Sequence, residues 1–197
     1  MTDRQSPRRA LRAELRAARE ASVAGLAGPV RAALAAALAE RILAHLPRQP
    51  GILGVHAAMG SEIDPAAAAG KAAARGWTLA FPRVRGAAPL AFHAARPESL
   101  VPGFKGIPEP EALLPEVRPD VLLVPLLAAD PEGRRLGQGG GHYDRTLAAL
   151  RAHGPLLAIG IAWDMQILPH LDAMPHDEPL DAVATPTRFL WARPAPR

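Results

Sequence analysis

The sequence predicts a three-layer α/β/α sandwich with a largely parallel sheet, built as one domain over residues 1–197. Three observations carry this. Short apolar runs alternate with segments of helical periodicity along most of the chain, the pattern of α/β proteins. The most apolar runs, Val121 to Leu127 and Leu156 to Ala162, read as strands buried on both faces. A length of 197 residues, 49% hydrophobic and 21% charged, fits a single domain with a sizeable core.

Taken in order, Pro7 to Val23 reads as a helix dominated by Arg8, Arg9, Arg12, Arg16 and Arg19, with Leu11 and Leu15 as a narrow apolar stripe. The arginines form either a solvated basic face or, through Arg8 and Arg12 one turn apart, a grip on polyphosphate. Pro29 to Leu46 is a second helix, with Val30, Leu34, Leu38 and Ile42 at helical spacing. Gly51 to Ala58 is a short strand, in which His56 is expected to be a satisfied core histidine. Asp64-Pro65 starts a helix over Ala66 to Arg75, with Asp64 as cap and Gly76 as stop. Glu62 has no such structural account. It is either an ordinary loop glutamate or a ligand contact placed just after a strand. Trp77 to Phe81 is a strand stopped by Pro82, and Leu90 to His93 is another. Leu100 to Pro115, broken by proline and glycine, is expected to be a long ordered loop. Gly141 to Leu150 leads into a helix, and Ala182 to Thr185 and Phe189 to Trp191 are closing strands.

The chain has no cysteine, which removes disulfides, thiolate metal sites and cysteine nucleophiles. Net charge is +4, and the only lysines are Lys71 and Lys105, so the positive charge is nearly all arginine. Anionic ligands are favoured, with nucleic acid as the anionic rival. The N-terminus lacks the apolar core of a secretory leader, no apolar run is long enough to span a bilayer, and no fixed-period repeat is present. Cytoplasmic residence is the expectation.

Gly137, Gly139, Gly140 and Gly141 fall within five positions. So dense a cluster lets successive backbone amides point into one concavity, the kind of nest that holds phosphate oxygens. The helix that opens near Tyr143 adds its N-terminal dipole, and Arg134 and Arg135 flank the loop. The loop is neither a Walker A loop nor a dinucleotide fingerprint, because the required lysine and the glycine spacing are missing. Asp144 either holds a magnesium ion at the mouth of the nest or simply stabilises the helix N-terminus. Late in the chain His170, His176, Asp177, Glu178 and Asp181 cluster. Their spacing matches no zinc motif. A single carboxylate joining Asp144 at magnesium is the better reading, and Asp177 and Asp181 are equal candidates from local sequence.

The run RLGQGGGHYDR from Arg135 to Arg145, preceded by the strand VLLVPLLAAD, resembles the signature of the 5-formyltetrahydrofolate cyclo-ligase family. The resemblance extends to Arg8 and Arg12, to Gly60–Pro65, to Gly106–Pro110, to Trp163, Asp164 and Gln166, and to Asp177 with Val183–Pro186. It implies an α/β sandwich and an ATP- and Mg2+-dependent ring closure of 5-formyltetrahydrofolate to 5,10-methenyltetrahydrofolate. ATP would be the co-substrate and a reduced folate the partner, with no nucleic acid, no membrane and a monomeric state. By the same resemblance Arg8, Arg12, Arg135, Leu136, Gly137, Gln138, Gly139, Gly140, Gly141, His142 and Tyr143 bind ATP. Ala57, Glu62 and the loop from Gln138 to His142 contact the folate. Asp144 and Asp177 hold magnesium, and Arg135, Tyr143 and Asp144 are the catalytic set. The chain departs from the family pattern at His142, Gln138, Gly140, Lys105 and Ala129. Two other readings remain. One is an ATP-dependent enzyme on the same scaffold with a different acceptor. The other is a non-catalytic module that binds an anionic ligand or nucleic acid.

Overall fold

The structure, a computed structural model, describes residues 5–192. Helices α1 (Gln5–Ala24) and α2 (Gly28–His45) precede strand β1 (Ile52–Gly54), helix α3 (Ala66–Ala74) and strands β2 (Thr78–Arg83) and β3 (Ala91–Ala94). Short strands β4 (Val101–Pro102) and β5 (Pro108–Glu109) follow, then β6 (Val121–Pro125), β7 (Ala128–Ala129) and β8 (Arg135–Leu136). Helix α4 (His142–Ala152) leads to β9 (Leu157–Ile161), β10 (Ala182–Ala184) and β11 (Phe189–Trp191).

Seven strands form the central sheet in the order β11-β10-β9-β6-β1-β2-β3. The inner pairs, β10 with β9, β9 with β6, β6 with β1 and β1 with β2, are parallel, and the two edge strands are antiparallel. The expected largely parallel sheet is therefore present, with β6 at its centre.

Strand alternation divides the core. Leu53, Val121, Leu123, Ile159 and Ile161 face one side, where α2 and α3 cover them with Leu38, Ile42, Leu43, Ala69 and Ala72. Leu122, Val124 and Ala158 face the other side and pack on Leu147 of α4. These two faces make the outer layers. Helix α1 does something different. Its Leu11 and Leu15 pack on Ala128, Leu136, Leu168 and Leu171, beyond the carboxyl ends of β6 and β9. That is the edge where ligands bind in parallel α/β sheets.

Five expectations are corrected. Regular pairing in β1 stops at Gly54, so Val55 to Ala58 lie outside the strand. Proline does not end β2, which runs through Pro82 to Arg83. The register with β1 ends at Ala80, so Pro82 pairs only with β3 and lies past the ladder that would need its missing N–H. The stretch 100–115 carries the small β4–β5 hairpin rather than being loop throughout. In α2, Val30 is 47% exposed, and burial starts further along at Leu38. Asp64 Oδ1 accepts from the Ala66 amide at 2.9 Å, but the N-cap of α3 is Pro65, one residue later than expected.

Candidate active site

The glycine loop lies between β8 and α4. Gly139 and Gly141 both adopt positive φ, at +100° and +65°, and Gly141 is the N-cap of α4. A side chain at Gly141 would be strained in that backbone region and would meet the Arg145 guanidinium at 2.6 Å. The first amide of α4 tied back into the helix is that of Arg145, which donates to the Gly141 carbonyl. The amides of His142, Tyr143 and Asp144 at the helix start are thus open to an acceptor.

Helix α1 lays its arginines across this loop. Arg12 Nε donates to the Gly137 carbonyl at 3.0 Å, and Arg16 donates to the Gln138 side-chain oxygen at 2.7 Å. Arg8 Nη1 donates to Asp177 Oδ2 at 2.8 Å. Burial and the neighbouring Arg8 lower the Arg12 pKa, while Asp177 and Asp144 oppose that shift, so these charged groups share one neighbourhood. Arg135 is buried at 7% exposure. Its Nη2 lies 2.5 Å from Asp144 Oδ1, and its Cζ sits 5.8 Å from the Tyr143 ring centroid. The Glu178 amide also donates to Asp144 Oδ1, at 3.3 Å, which brings Asp144 beside the Asp177 segment. Arg8, Arg12, Arg135, Asp144 and Asp177 therefore form one cluster, although up to 169 residues separate them in sequence.

Each carboxylate in the cluster keeps an oxygen in reserve. Asp144 uses Oδ1 for Arg135 and Glu178, and among the described residues its Oδ2 accepts no hydrogen bond. Asp177 uses Oδ2 for Arg8 and the Met174 amide, while among the described residues its Oδ1 has only His176 at 4.0 Å. Two carboxylates with spare oxygens beside a phosphate nest suit a hard cation such as magnesium, which takes one or two protein carboxylates and completes its shell from phosphates and water. Asp181 is placed otherwise: its Oδ2 accepts from Arg151 at 3.1 Å and from the Ala158 amide at 2.8 Å. The geometry thus favours Asp177 over Asp181.

A second acidic group, Asp130, Glu132 and His170, brings its donor atoms within 4.8 Å of one another. It does not fit a metal, because a cation already sits in it. Arg134 Nη1 bonds Asp130 Oδ2 at 3.0 Å and His170 Nδ1 at 2.7 Å, and Nη2 pairs with Glu132. Arg134 therefore does not flank the phosphate nest as its sequence position implied. Leu136 likewise contributes to the core, with 2% exposure and its carbonyl bonded to the Leu127 amide.

On the other side of the loop, Gln138 Nε2 reaches Glu62 Oε1 at 3.4 Å. Glu62 Oε2 accepts from the Met59 amide at 3.0 Å, and Arg19 Nη1 lies 3.8 Å from Oε1. Arg19 Nε in turn donates to Ser61 Oγ at 2.9 Å. Ala57 lies partly exposed in the segment between β1 and this turn. Burial raises the Tyr143 pKa, nearby Glu62 raises it further, and Arg135 opposes both, so the phenol stays protonated. His142 packs edge-on to Phe104 at 6.3 Å, and burial with Arg145 and Lys105 lowers its pKa. The residues that sequence reasoning missed are Arg16 and Arg19. Their signal was the continuation of the Arg8–Arg12 spacing along the same helix face.

His56 is buried as expected but is not fully satisfied: among the described residues neither ring nitrogen reaches hydrogen-bond geometry, although the Leu123 carbonyl lies close to the ring. Burial lowers its pKa below 6.5, against the opposing pull of Glu62, the Leu123 carbonyl and Asp64. The folded protein then binds fewer protons than the unfolded chain as pH drops through 6.5, so stability is highest above that value and falls on acidification. A thermal melt should show a lower midpoint at about pH 5.5 than at about pH 7.5, and His56→Phe should flatten part of that slope.

Comparison with known proteins follows the same elements. A family model described as the 5-formyltetrahydrofolate cyclo-ligase family matches residues 4–186. The 5-formyltetrahydrofolate cyclo-ligase of Escherichia coli K12 is 46% identical over 79 residues, 40% of this chain and 42% of that protein. The protein of the same name from Mycolicibacterium smegmatis is 40% identical over 108 residues, covering 53% of this chain and 55% of that one. The chain thus aligns with about half the length of the curated relatives it matches. Among solved structures, Aquifex aeolicus 5,10-methenyltetrahydrofolate synthetase superposes with a TM-score of 0.73 at 26% identity, covering 95% of both chains. The synthetase from Mycoplasma pneumoniae gives 0.70 at 20% identity, over 91% of this chain and 98% of that one, and supports the fold. The family match runs from the arginine helix through the glycine loop to the late aspartate, and on it the chain belongs to the 5-formyltetrahydrofolate cyclo-ligase family.

Proposed function

We propose that this chain converts 5-formyltetrahydrofolate to 5,10-methenyltetrahydrofolate with ATP and magnesium, releasing ADP and phosphate. One observation carries the reading. The glycine loop joins two differently charged half-sites, the arginine–aspartate cluster held at Gly137 by Arg12 and the Glu62 turn reached by Gln138. A polyphosphate suits the first half-site and a heterocycle with N–H groups suits the second.

The chemistry follows from the groups available. An amide oxygen is a poor leaving group. Transfer of the γ-phosphoryl group from ATP to the formyl oxygen makes it a good one. The folate N10 then attacks the formyl carbon and loses its proton, and the carbon–oxygen bond breaks to release phosphate. Catalysis here is alignment and charge neutralisation, and no protein nucleophile is needed. Arg8, Arg12 and Arg135 hold the phosphates, and the open amides of His142, Tyr143 and Asp144 would donate to their oxygens. Asp144 and Asp177 are the residues that would hold magnesium. When bound, the metal neutralises charge on the phosphoryl oxygens. Tyr143 acts as a protonated donor, and Glu62 accepts from the folate heterocycle. No single helix among the described residues is long and apolar enough to cross a membrane, and the protein is read as monomeric and cytoplasmic.

The direct test is the near-ultraviolet methenyl chromophore, followed after mixing protein, 5-formyltetrahydrofolate, ATP and magnesium. A rise that needs both ATP and magnesium is expected. A folded protein that binds ATP but gives no rise would overturn the substrate assignment. Glu62→Gln should raise KM for the folate about tenfold, the scale of one charge-assisted hydrogen bond, with the KM for ATP little changed.

A further inference from the structure

Behind Glu62 lies a narrow hollow lined by Arg19, His56, Glu62, Leu126, Ile161 and Gln166. Two of these residues carry buried nitrogens that reach no hydrogen-bond geometry among the described residues: Arg19 Nη1, 3.8 Å from Glu62 Oε1, and the ring nitrogens of His56, with the Leu123 carbonyl as their nearest backbone acceptor. Buried polar groups are normally paired, and each orphan costs roughly 1–3 kcal/mol. Water does not solve the problem, because the hollow is too narrow to hold a water molecule. Gln166 does not solve it either. Its amide is spent on the Leu126 and Leu127 carbonyls and the Trp163 amide.

The arrangement has a definite hydrogen-bonding character. Glu62 offers carboxylate oxygens, Arg19 Nη1 offers a donor, and a neutral imidazole offers one donor and one acceptor. An amide-type edge, with N–H groups next to a carbonyl oxygen, is the complement. The 2-amino-4-oxopyrimidine ring of a reduced pterin presents such an edge. The wall of the hollow that carries Glu62 is an exposed turn, with Met59 46% exposed and Gly60 at φ +56° with nothing within 4 Å of an added Cβ. Its tip at Met59 and Gly60 has room to move outward, while Ser61 is tied by Arg19 Nε and by Trp163 Nε1, each at 2.9 Å.

Building on the folate reading above, we propose that His56 and Arg19 are substrate-recognition residues: they complete the pocket behind Glu62 and bond the amide edge of the pterin when the 59–62 turn opens. His56 sits unpaired in the free protein because its partner is the substrate. This differs from a packing role in a measurable way. A packing histidine stabilises the fold, whereas this one costs stability until the ligand arrives.

The test is binding of 5-formyltetrahydrofolate by isothermal titration to wild type, His56→Phe and His56→Gln, with ATP binding and the thermal midpoint measured on each. Phenylalanine keeps the ring and removes both nitrogens. It should weaken folate binding about tenfold or more, leave ATP binding unchanged, and leave the midpoint at pH 7.5 equal or higher. Glutamine restores a donor and an acceptor and should recover most of the affinity. Equal folate affinity in His56→Phe and wild type would overturn the proposal. So would a lowered midpoint with no selective loss of folate binding. Wild type that binds no 5-formyltetrahydrofolate would instead overturn the functional reading. Should His56→Phe fail to fold, the ring nitrogen resonances of His56 in the wild-type protein decide: they shift on adding 5-formyltetrahydrofolate if the proposal holds, and stay put if it does not.

Discussion

Asp144→Asn should lower turnover about a hundredfold or more while leaving the fold intact. The fold survives because the hydrogen bonds at Asp144 Oδ1, from Arg135 and from the Glu178 amide, can still be accepted by an amide oxygen, although the buried Arg135 loses its counter-charge and some stability goes with it. What is lost is one negative charge and the spare oxygen, Oδ2. With only Asp177 left as an anionic ligand, magnesium held with ATP is bound more weakly, and charge on the transferring phosphoryl group is less well neutralised. The measurement is initial rate against magnesium concentration at saturating ATP and folate. The expected curve has a higher half-saturation point and a lower plateau, with circular dichroism unchanged. A variant with wild-type rate and half-saturation would remove Asp144 from the metal site.

Arg135→Met should also reduce turnover about a hundredfold, and it too should destabilise the protein. Methionine keeps most of the buried bulk under Tyr143 but not the charge. Asp144 is then left with the Glu178 amide and solvent, and its side chain is 20% exposed, so the cost is partly screened. A loss of about 1–2 kcal/mol is expected on that basis. The diagnostic readout is the response to magnesium with ATP. In wild type, the cluster carries arginine charge for the phosphates and carboxylate charge for the metal. In Arg135→Met the Asp144 carboxylate has lost its paired cation, so added magnesium alone should raise the melting midpoint more than it does in wild type. An equal response in both proteins would show that Arg135 and the metal do not share Asp144.

In the free protein two ion pairs offset most of the cluster's charge and leave one positive charge in excess, on Arg12: Arg8 pairs with Asp177, and Arg135 pairs with Asp144. The same contacts explain how the two charge signs coexist in a partly buried place. Phosphate can take over the arginines while metal takes over the carboxylates, so the ion pairs are exchanged rather than simply broken.

Much of this was legible in the chain. The strand–helix alternation gave the layer architecture, because period 2 and period 3.6 are properties of neighbouring residues. The core strands at Leu122 and Ile159 and the glycine loop with positive φ at Gly139 and Gly141 were readable for the same reason. Each depends on backbone geometry or side-chain pattern within a few residues. Resemblance then assigned roles to Arg8, Arg12, Glu62 and Asp177 that local sequence left open.

What only the tertiary structure decided was pairing across long separations. Arg134 and Arg135 are adjacent and look alike in sequence, yet one turns into Asp130 and the other toward Asp144, because successive side chains in an extended segment point to opposite sides. Pro82 reads as a strand breaker, and only the sheet register places it past its parallel neighbour. His56 reads as an ordinary core histidine, and only packing against Arg19 and Glu62 leaves its nitrogens unpaired. Sequence by itself determined which elements form and where the glycine loop lies, since those depend on local backbone and periodicity. Which charges meet, and which buried polar groups are left waiting for a partner, depended on side-chain directions and on contacts up to 169 residues apart that only the folded chain brings together.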